Sequence, residues 1–213
     1  FAYLVLPAIE RKMSGFREGL REIMLRDERS LIDEVKVCSR VERDLISEVT
    51  WILRKTCLLE LRVAKIRGRL VGLSGADRFL HFINLLRNPS YVSQFFMEYP
   101  LLLKRVLIRI DMICRNSTDF IGSLVDDFPE IEKNILGGKC STSLVDFDSG
   151  KGDSHCGGRS VIHVVLSDGK KLIYKPRSLS PDVGFSQLIE ICNRVVPAWP
   201  LRVARTIDCV THG

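Results

Sequence analysis

Apolar residues recur at three- and four-residue intervals through the first part of the chain, and the pattern changes near residue 138. The spacing predicts helical blocks over residues 4–25, 31–70, 76–86, 92–97, 101–114 and 120–135. Asn88-Pro89 and Tyr99-Pro100 mark two boundaries, since proline fits the first turn of a helix, and Asn116-Ser117-Thr118 reads as a cap. Gly137-Gly138 and the polar residues Ser141 to Ser143 then interrupt the helical spacing. From Leu144 onward period-two runs predict strands, with residues 201–210 as a last strand candidate. The pattern predicts an α+β chain with a helical region over 1–138 and a small β-containing region over 139–213, without internal repeats.

Val161 to Leu166 and Lys171 to Lys175 are short apolar runs joined by Ser167-Asp168-Gly169-Lys170, which predicts a two-residue hairpin at Asp-Gly. That register pairs Leu166 with Lys171, Val164 with Ile173 and Ile162 with Lys175. Lys175 then shares a face with Ile162, Val164 and Ile173. An ammonium on an apolar face must reach solvent along its stem or meet an anion, because burying it unpaired costs several kcal/mol.

The loop before the hairpin, Gly152-Asp153-Ser154-His155-Cys156-Gly157-Gly158-Arg159, supplies a second half for an anion site. Gly157 and Gly158 lack the Cβ that would keep the backbone from approaching a ligand and pointing N–H groups at it. With Lys175 and Arg177 returning on the next strand, the arrangement suits a polyphosphate, and the implied ligand is a nucleotide. A solvated lysine near a strand end, beside an ordinary glycine turn, fits the same residues. Pro176 adds only that the strand ends there or lies at an edge.

Ser180-Pro181-Asp182 reads as a helix start, and Phe185, Leu188, Ile189 and Cys192 recur at helical spacing, predicting a face packed on the sheet. Glu190 neighbours that stripe; it is either an exposed glutamate or a partner for Lys175 of the kind kinases place on a helix.

Composition narrows the classes. The chain has 213 residues, 46% of them hydrophobic, enough for a substantial core. Its formal net charge is +6, but the 32 basic residues are interspersed with 26 acidic ones, which argues against a nucleic-acid-binding tail. The densest basic stretch, Arg54, Lys55, Arg62, Lys65, Arg67 and Arg69, reads as the wet face of a helix or as a surface for an acidic peptide. Seven cysteines stand without CxxC spacing, so no metal set is predicted and reduced thiols in a cytoplasm are expected. The apolar opening, Phe1 to Ala8, is too short for a membrane span, and no stable membrane insertion is expected.

Several of these segments resemble the dehydratase domain of class II lanthipeptide synthetases, the LanM family. The resemblance is carried by Gly152-Asp153-Ser154-His155, Gly157-Gly158-Arg159-Ser160-Val161, the run Asp168 to Leu179 with its Lys175-Pro176-Arg177, and the helix Phe185 to Asn193. Upstream it extends through Leu58 to Gly68, Ala76 to Phe79 and Glu98-Tyr99-Pro100, so that it covers about residues 50 to 213. It implies a truncated kinase-like fold: a helical region followed by part of a lipid-kinase-like small β lobe. It also implies an activity, phosphorylation of serine and threonine in a leader-bearing, ribosomally made precursor peptide with ATP and Mg²⁺. Elimination of phosphate then gives dehydroalanine or dehydrobutyrine, in lantibiotic biosynthesis.

By the same resemblance Lys175 contacts nucleotide phosphates, with Gly157, Gly158 and Arg177 around them. Asp153 and His155 match the family's loop acid and histidine that line the phosphate-handling site, and are the candidate catalytic residues, in either phosphorylation or elimination. The family usually has asparagine or a similar polar residue where this chain has Cys156, a weaker hydrogen-bond partner. The family's metal-binding acid and its Zn²⁺ cyclase are expected beyond the residues represented, so the chain reads as a fragment without the whole activity. Two other readings compete: a non-catalytic peptide- or protein-binding module with a kinase-like lobe, and a different kinase-like phosphotransferase.

Overall fold

The computed structural model describes residues 1–149, 156–209 and 211–213. Among them, helices and one three-stranded antiparallel sheet make the chain α+β. The helices are α1 (Leu6–Met24), α2 (Glu34–Ile66), α3 (Gly75–Leu85), α4 (Pro89–Glu98), α5 (Pro100–Ile131) and α6 (Ser180–Val195). The strands are β1 (Leu144–Ser149), β2 (Ile162–Leu166) and β3 (Lys171–Tyr174). Two compact units divide the chain, residues 1–19 with 38–117 and residues 20–37 with 118–213. Among the described residues no helix is long and apolar enough to cross a membrane.

The first unit is helical because its apolar positions keep one phase over many turns. Val41, Leu45, Val49, Leu53 and Cys57 recur every fourth residue on α2 and are fully buried. Arg54, Lys55, Arg62 and Lys65 are exposed, as both the wet-face and the peptide-surface readings require. Asn88 caps α4, its side chain accepting from the N–H groups of Ser90 and Tyr91, and Pro89 takes the first helical position. A reciprocal cap that the periodicity did not reveal starts α3: Ser74 accepts from Asp77 N–H at 3.1 Å, and Asp77 accepts from Ser74 N–H at 2.8 Å. Phe82, Phe95 and Phe96 are core residues, whereas Phe79 is 41% exposed.

Helix α5 corrects one boundary. The polar run Asn116-Ser117-Thr118 does not cap a new helix; α5 continues through it to Ile131. The apolar phase explains this, since Val106, Ile110, Cys114, Ile121, Leu124 and Phe128 stay on one buried stripe across the polar turn. Packing along such a stripe outweighs the few tenths of a kcal/mol by which Asn, Ser and Thr disfavour helix.

In the second unit the sheet packs on α5 through Phe120, whose ring lies 5.3 Å from Phe147 and 5.1 Å from Tyr174. The period-two expectation fails in β1, where Leu144 faces Leu166 but Asp146 already faces Val165, leaving Val145 as the extra residue of a bulge. The bulge brings both Leu144 and Phe147 to the buried face and leaves Asp146 outside. Glu132, buried just after α5, accepts from Arg29 at 2.8 Å and from Cys140 N–H at 3.2 Å.

The hairpin corrects a second expectation. Its register pairs Val165 with Lys171, Val164 with Leu172, His163 with Ile173 and Ile162 with Tyr174. The connection is Ser167-Asp168-Gly169, with Gly169 at φ 82° and its N–H donating to Leu166 O at 3.0 Å. That is the three-residue hairpin, a turn followed by a left-handed residue, rather than the two-residue form. A shift of one residue exchanges faces. Ile162, Val164 and Leu166 are therefore buried with Leu172 and Tyr174 beside them, Ile173 is exposed, and Lys175 does not share their face.

The segment after β3 differs from expectation in two ways. Helix α6 starts at Ser180-Pro181 as predicted, but none of its residues is buried, and Phe185 and Leu188 are more than half exposed. Residues 201–209 form no strand; side-chain hydrogen bonds rather than a ladder tie this stretch to residues 178–193. Asn193 both donates to Leu201 O and accepts from Leu201 N–H, and Asp208 accepts from Leu179 N–H and Ser178 Oγ. Gly213 and Lys175 then exchange backbone hydrogen bonds, at 2.6 and 3.1 Å.

Candidate functional site

Strand β3 delivers Lys175 to the point where the sheet stops. Pro176, lacking an N–H, prevents the ladder from continuing, and the chain turns into α6. The Lys175 ammonium lies 2.8 Å from Asp182 Oδ1, and the Arg177 guanidinium lies 2.9 Å from Asp182 Oδ2. Asp182 stands in the first turn of α6, where the helix dipole also favours a negative charge. The Lys175 ammonium, then the Arg177 guanidinium, hold its carboxyl below the usual carboxylate range. Glu190 is exposed, so the acid that meets Lys175 is Asp182.

Beside this ion pair lies a cavity of about 390 Å³. Val164, Leu172, Leu124 and Ile131 give it apolar walls, and Lys175, Asp182, Asp127 and His212 bring charge and polarity to it. The volume falls within the range of small-molecule sites, roughly 300–1,000 Å³. Neither Gly157 nor Gly158 nor Arg177 lines it.

The two glycines form a separate feature. Both have left-handed backbones, at φ 75° and 73°, in a short 3-10 turn over Cys156–Gly158. A Cβ at Gly157 would meet nothing within 4 Å, so conformation rather than space calls for glycine there. Arg159 follows, 2.9 Å from Asp119 on α5. Asp153 and His155 lie outside the described residues. Of the predicted site residues, Lys175 and Arg177 are thus brought together by Asp182, while the glycine turn stands apart from the cavity lining.

A polar cluster that sequence reasoning passed over occupies another wall of the cavity. Asp127 on α5 meets His212 Nε2 at 2.6 Å, 85 residues apart in the chain, and Cys209 lies beside them. Thr211 Oγ1 is 2.9 Å from the other ring nitrogen of His212, and Tyr174 packs against the ring. Burial, then the Asp127 carboxylate, pushes the Cys209 thiol up to about 11. The Cys209-x-x-His212 spacing was visible in the sequence; the long-range partner on α5 was not.

Residues 99–213 match the model of a family described as Domain of unknown function (DUF4135). No curated protein matches the chain.

Proposed function

We propose, on the premise that the chain belongs to the DUF4135 family, that it is the nucleotide-handling part of a lanthipeptide dehydratase of the LanM kind. Domains of this family occur in lanthionine synthetase-like proteins, and the matched residues include the hairpin, Lys175 and α6. On this reading residues 139–213 are part of a kinase-like small lobe and residues 1–138 the helical region before it. The precursor peptide is the phosphoryl acceptor, and the reaction takes place in the cytoplasm.

One observation carries the reading: a strand-end lysine, held by a carboxylate in the first turn of the next helix, at the edge of a cavity of small-molecule size. Kinases use such a lysine–carboxylate pair to fix the ammonium against the nucleotide phosphates. The cavity's apolar wall and the cations that line it, Lys171, Lys175 and Arg205, suit an ATP molecule, which when bound supplies the phosphoryl group. Lys175 would hold its phosphates as a point charge, Arg177 would offer a planar fork nearby, and Asp182 would orient both. Asp153 and His155 would move protons on the peptide side, and the turn at Gly157 and Gly158, which does not line the cavity, would make no phosphate contact. Mg²⁺ does not fit on Asp182, whose two oxygens already face Lys175 and Arg177.

The same ion pair favours a second reading, a binding module in which Lys175 and Arg177 are structural cations satisfied by Asp182. Calorimetric titration with ATP separates the two. The dehydratase reading expects saturable binding that Lys175→Ala weakens at least about tenfold, as loss of a charged phosphate contact should. Equal binding by both proteins, or none by either, leaves the module.

A further inference from the structure

Three side chains with three kinds of donor atom converge on the cavity wall formed by α5 and the C-terminal segment. The Asp127 carboxylate, the Cys209 thiol and the His212 imidazole place one oxygen, one sulfur and one nitrogen within 4.8 Å of one another, all partly buried. We infer that Asp127, Cys209 and His212 form a binding site for a divalent transition-metal ion of borderline softness, zinc above all. The inference is independent of the nucleotide reading.

Geometry is the first support. Tetrahedral zinc holds such ligands at about 2.0–2.3 Å, which sets ligand atoms roughly 3.3–3.8 Å apart. The donor atoms lie within 4.8 Å of one another, and Asp127 and His212, now 2.6 Å apart as hydrogen-bond partners, would separate by about 1 Å to admit an ion. Two backbone hydrogen bonds keep Cys209 and His212 close, Cys209 N–H donating to His212 O at 2.9 Å and Thr211 N–H donating to Cys209 O at 2.8 Å.

A second, independent feature is the outer contact. Ligating histidines commonly bond their other ring nitrogen to an oxygen, which fixes ring orientation and tautomer. Here Thr211 Oγ1 engages Nδ1 at 2.9 Å while Nε2 faces Asp127, and the Tyr174 ring braces the imidazole.

Charge points the same way. Burial first, then the carboxylates Asp127, Asp208 and Glu130, raise the Cys209 thiol. A bound cation reverses that balance, because coordination deprotonates the thiol. A thiolate and an imidazole select zinc or a neighbouring transition ion over Mg²⁺ or Ca²⁺, which prefer oxygen cages. Three protein ligands leave a fourth position, and since all three residues line the cavity, that position is open to it.

The test uses the purified chain, stripped with a chelator and titrated with Zn²⁺ in competition with a chromogenic chelator, then with Co²⁺ to read the ligand set. The expected result is one equivalent of zinc and a thiolate-to-cobalt charge-transfer band. Cys209→Ser removes that band, while Cys192→Ser, at an exposed cysteine outside the cavity, leaves it unchanged. Thr211→Val should weaken zinc by about tenfold or more, and Asp127→Asn by more than that. Circular dichroism confirms that each variant is folded; should His212→Ala unfold, the milder Thr211→Val and Cys209→Ser variants report on the same site. Failure to take up one equivalent, survival of the band in Cys209→Ser, or equal loss in Cys192→Ser overturns the assignment.

Discussion

Lys175 and Asp182 are joined by a 2.8 Å ion pair that ties the end of β3 to the first turn of α6. Asp182 also holds Arg177, so a single carboxylate pairs with both cations the sequence offers to a phosphate and offsets one of their two charges. Replacing it by Asp182→Asn keeps the shape and removes the charge. Inorganic tripolyphosphate should then bind several-fold more tightly, with a steeper dependence on salt, as measured by calorimetry. Unchanged affinity would mean that neither cation faces a bound anion.

The same carboxyl gives a pH signature. Its pKa is lowered in the folded chain, so the pair's contribution is present above the ordinary aspartate value of about 3.9 and is lost as pH falls below it. The groups are partly exposed, which limits the contribution to about 1 kcal/mol or less. Urea unfolding between pH 7 and pH 3 should show Asp182→Asn with a shallower acid loss than the parent chain. Parallel curves would remove the pair from the stability account.

Phe120 should be among the costliest truncations in the second unit. It is 1% exposed and its ring meets both Phe147 and Tyr174. Phe120→Ala should lower stability by about 3–5 kcal/mol, and Phe120→Leu by clearly less. A loss under 1 kcal/mol by chemical denaturation would contradict the packing described.

Gly169→Ala tests the hairpin form. A Cβ there meets nothing within 4 Å, so the cost is the left-handed backbone alone, about 1–2 kcal/mol. Gly169→Asn should recover much of it, since asparagine tolerates that region. A two-residue turn in the register first expected would give a different ranking at Asp168 and Gly169.

Thiol reactivity separates buried from open cysteines. Burial pushes Cys57 up to about 12 and Cys114 up to about 11, whereas Cys192 is exposed. Iodoacetamide at pH 8 should label Cys192 quickly and leave Cys57 and Cys114 unmodified until unfolding, as read by peptide mass spectrometry. Because both buried thiols have raised pKa values, their contribution to stability holds below about pH 8.5 and declines as pH rises beyond it.

The helices were legible because periodicity survives wherever one stripe is buried, as in Val41 to Cys57. The boundary at Asn116-Ser117-Thr118 was not, since local capping chemistry was outweighed by the stripe from Val106 to Phe128. In the hairpin, Asp-Gly signalled a turn but not its length, and that one-residue ambiguity moved Lys175 to the other face. The apolar spacing on α6 was read correctly as helix, yet it says nothing about whether a partner covers Phe185 and Leu188. Lys175 was found from its position after a strand. Asp127 was hidden because its meaning depends on His212, a residue brought near only by the tail's return to α5.

The bulge in β1 makes that strand unusually forgiving of a change in length. Val145 is the spare residue, so losing it would merge the two halves of the strand into an ordinary alternation that still turns Leu144 and Phe147 inward. Losing one residue from β2 would instead turn half of its inward side chains to water. Single-codon deletions should therefore be tolerated at 145 and rejected between 162 and 166, a contrast that a deletion library scored for solubility would display directly.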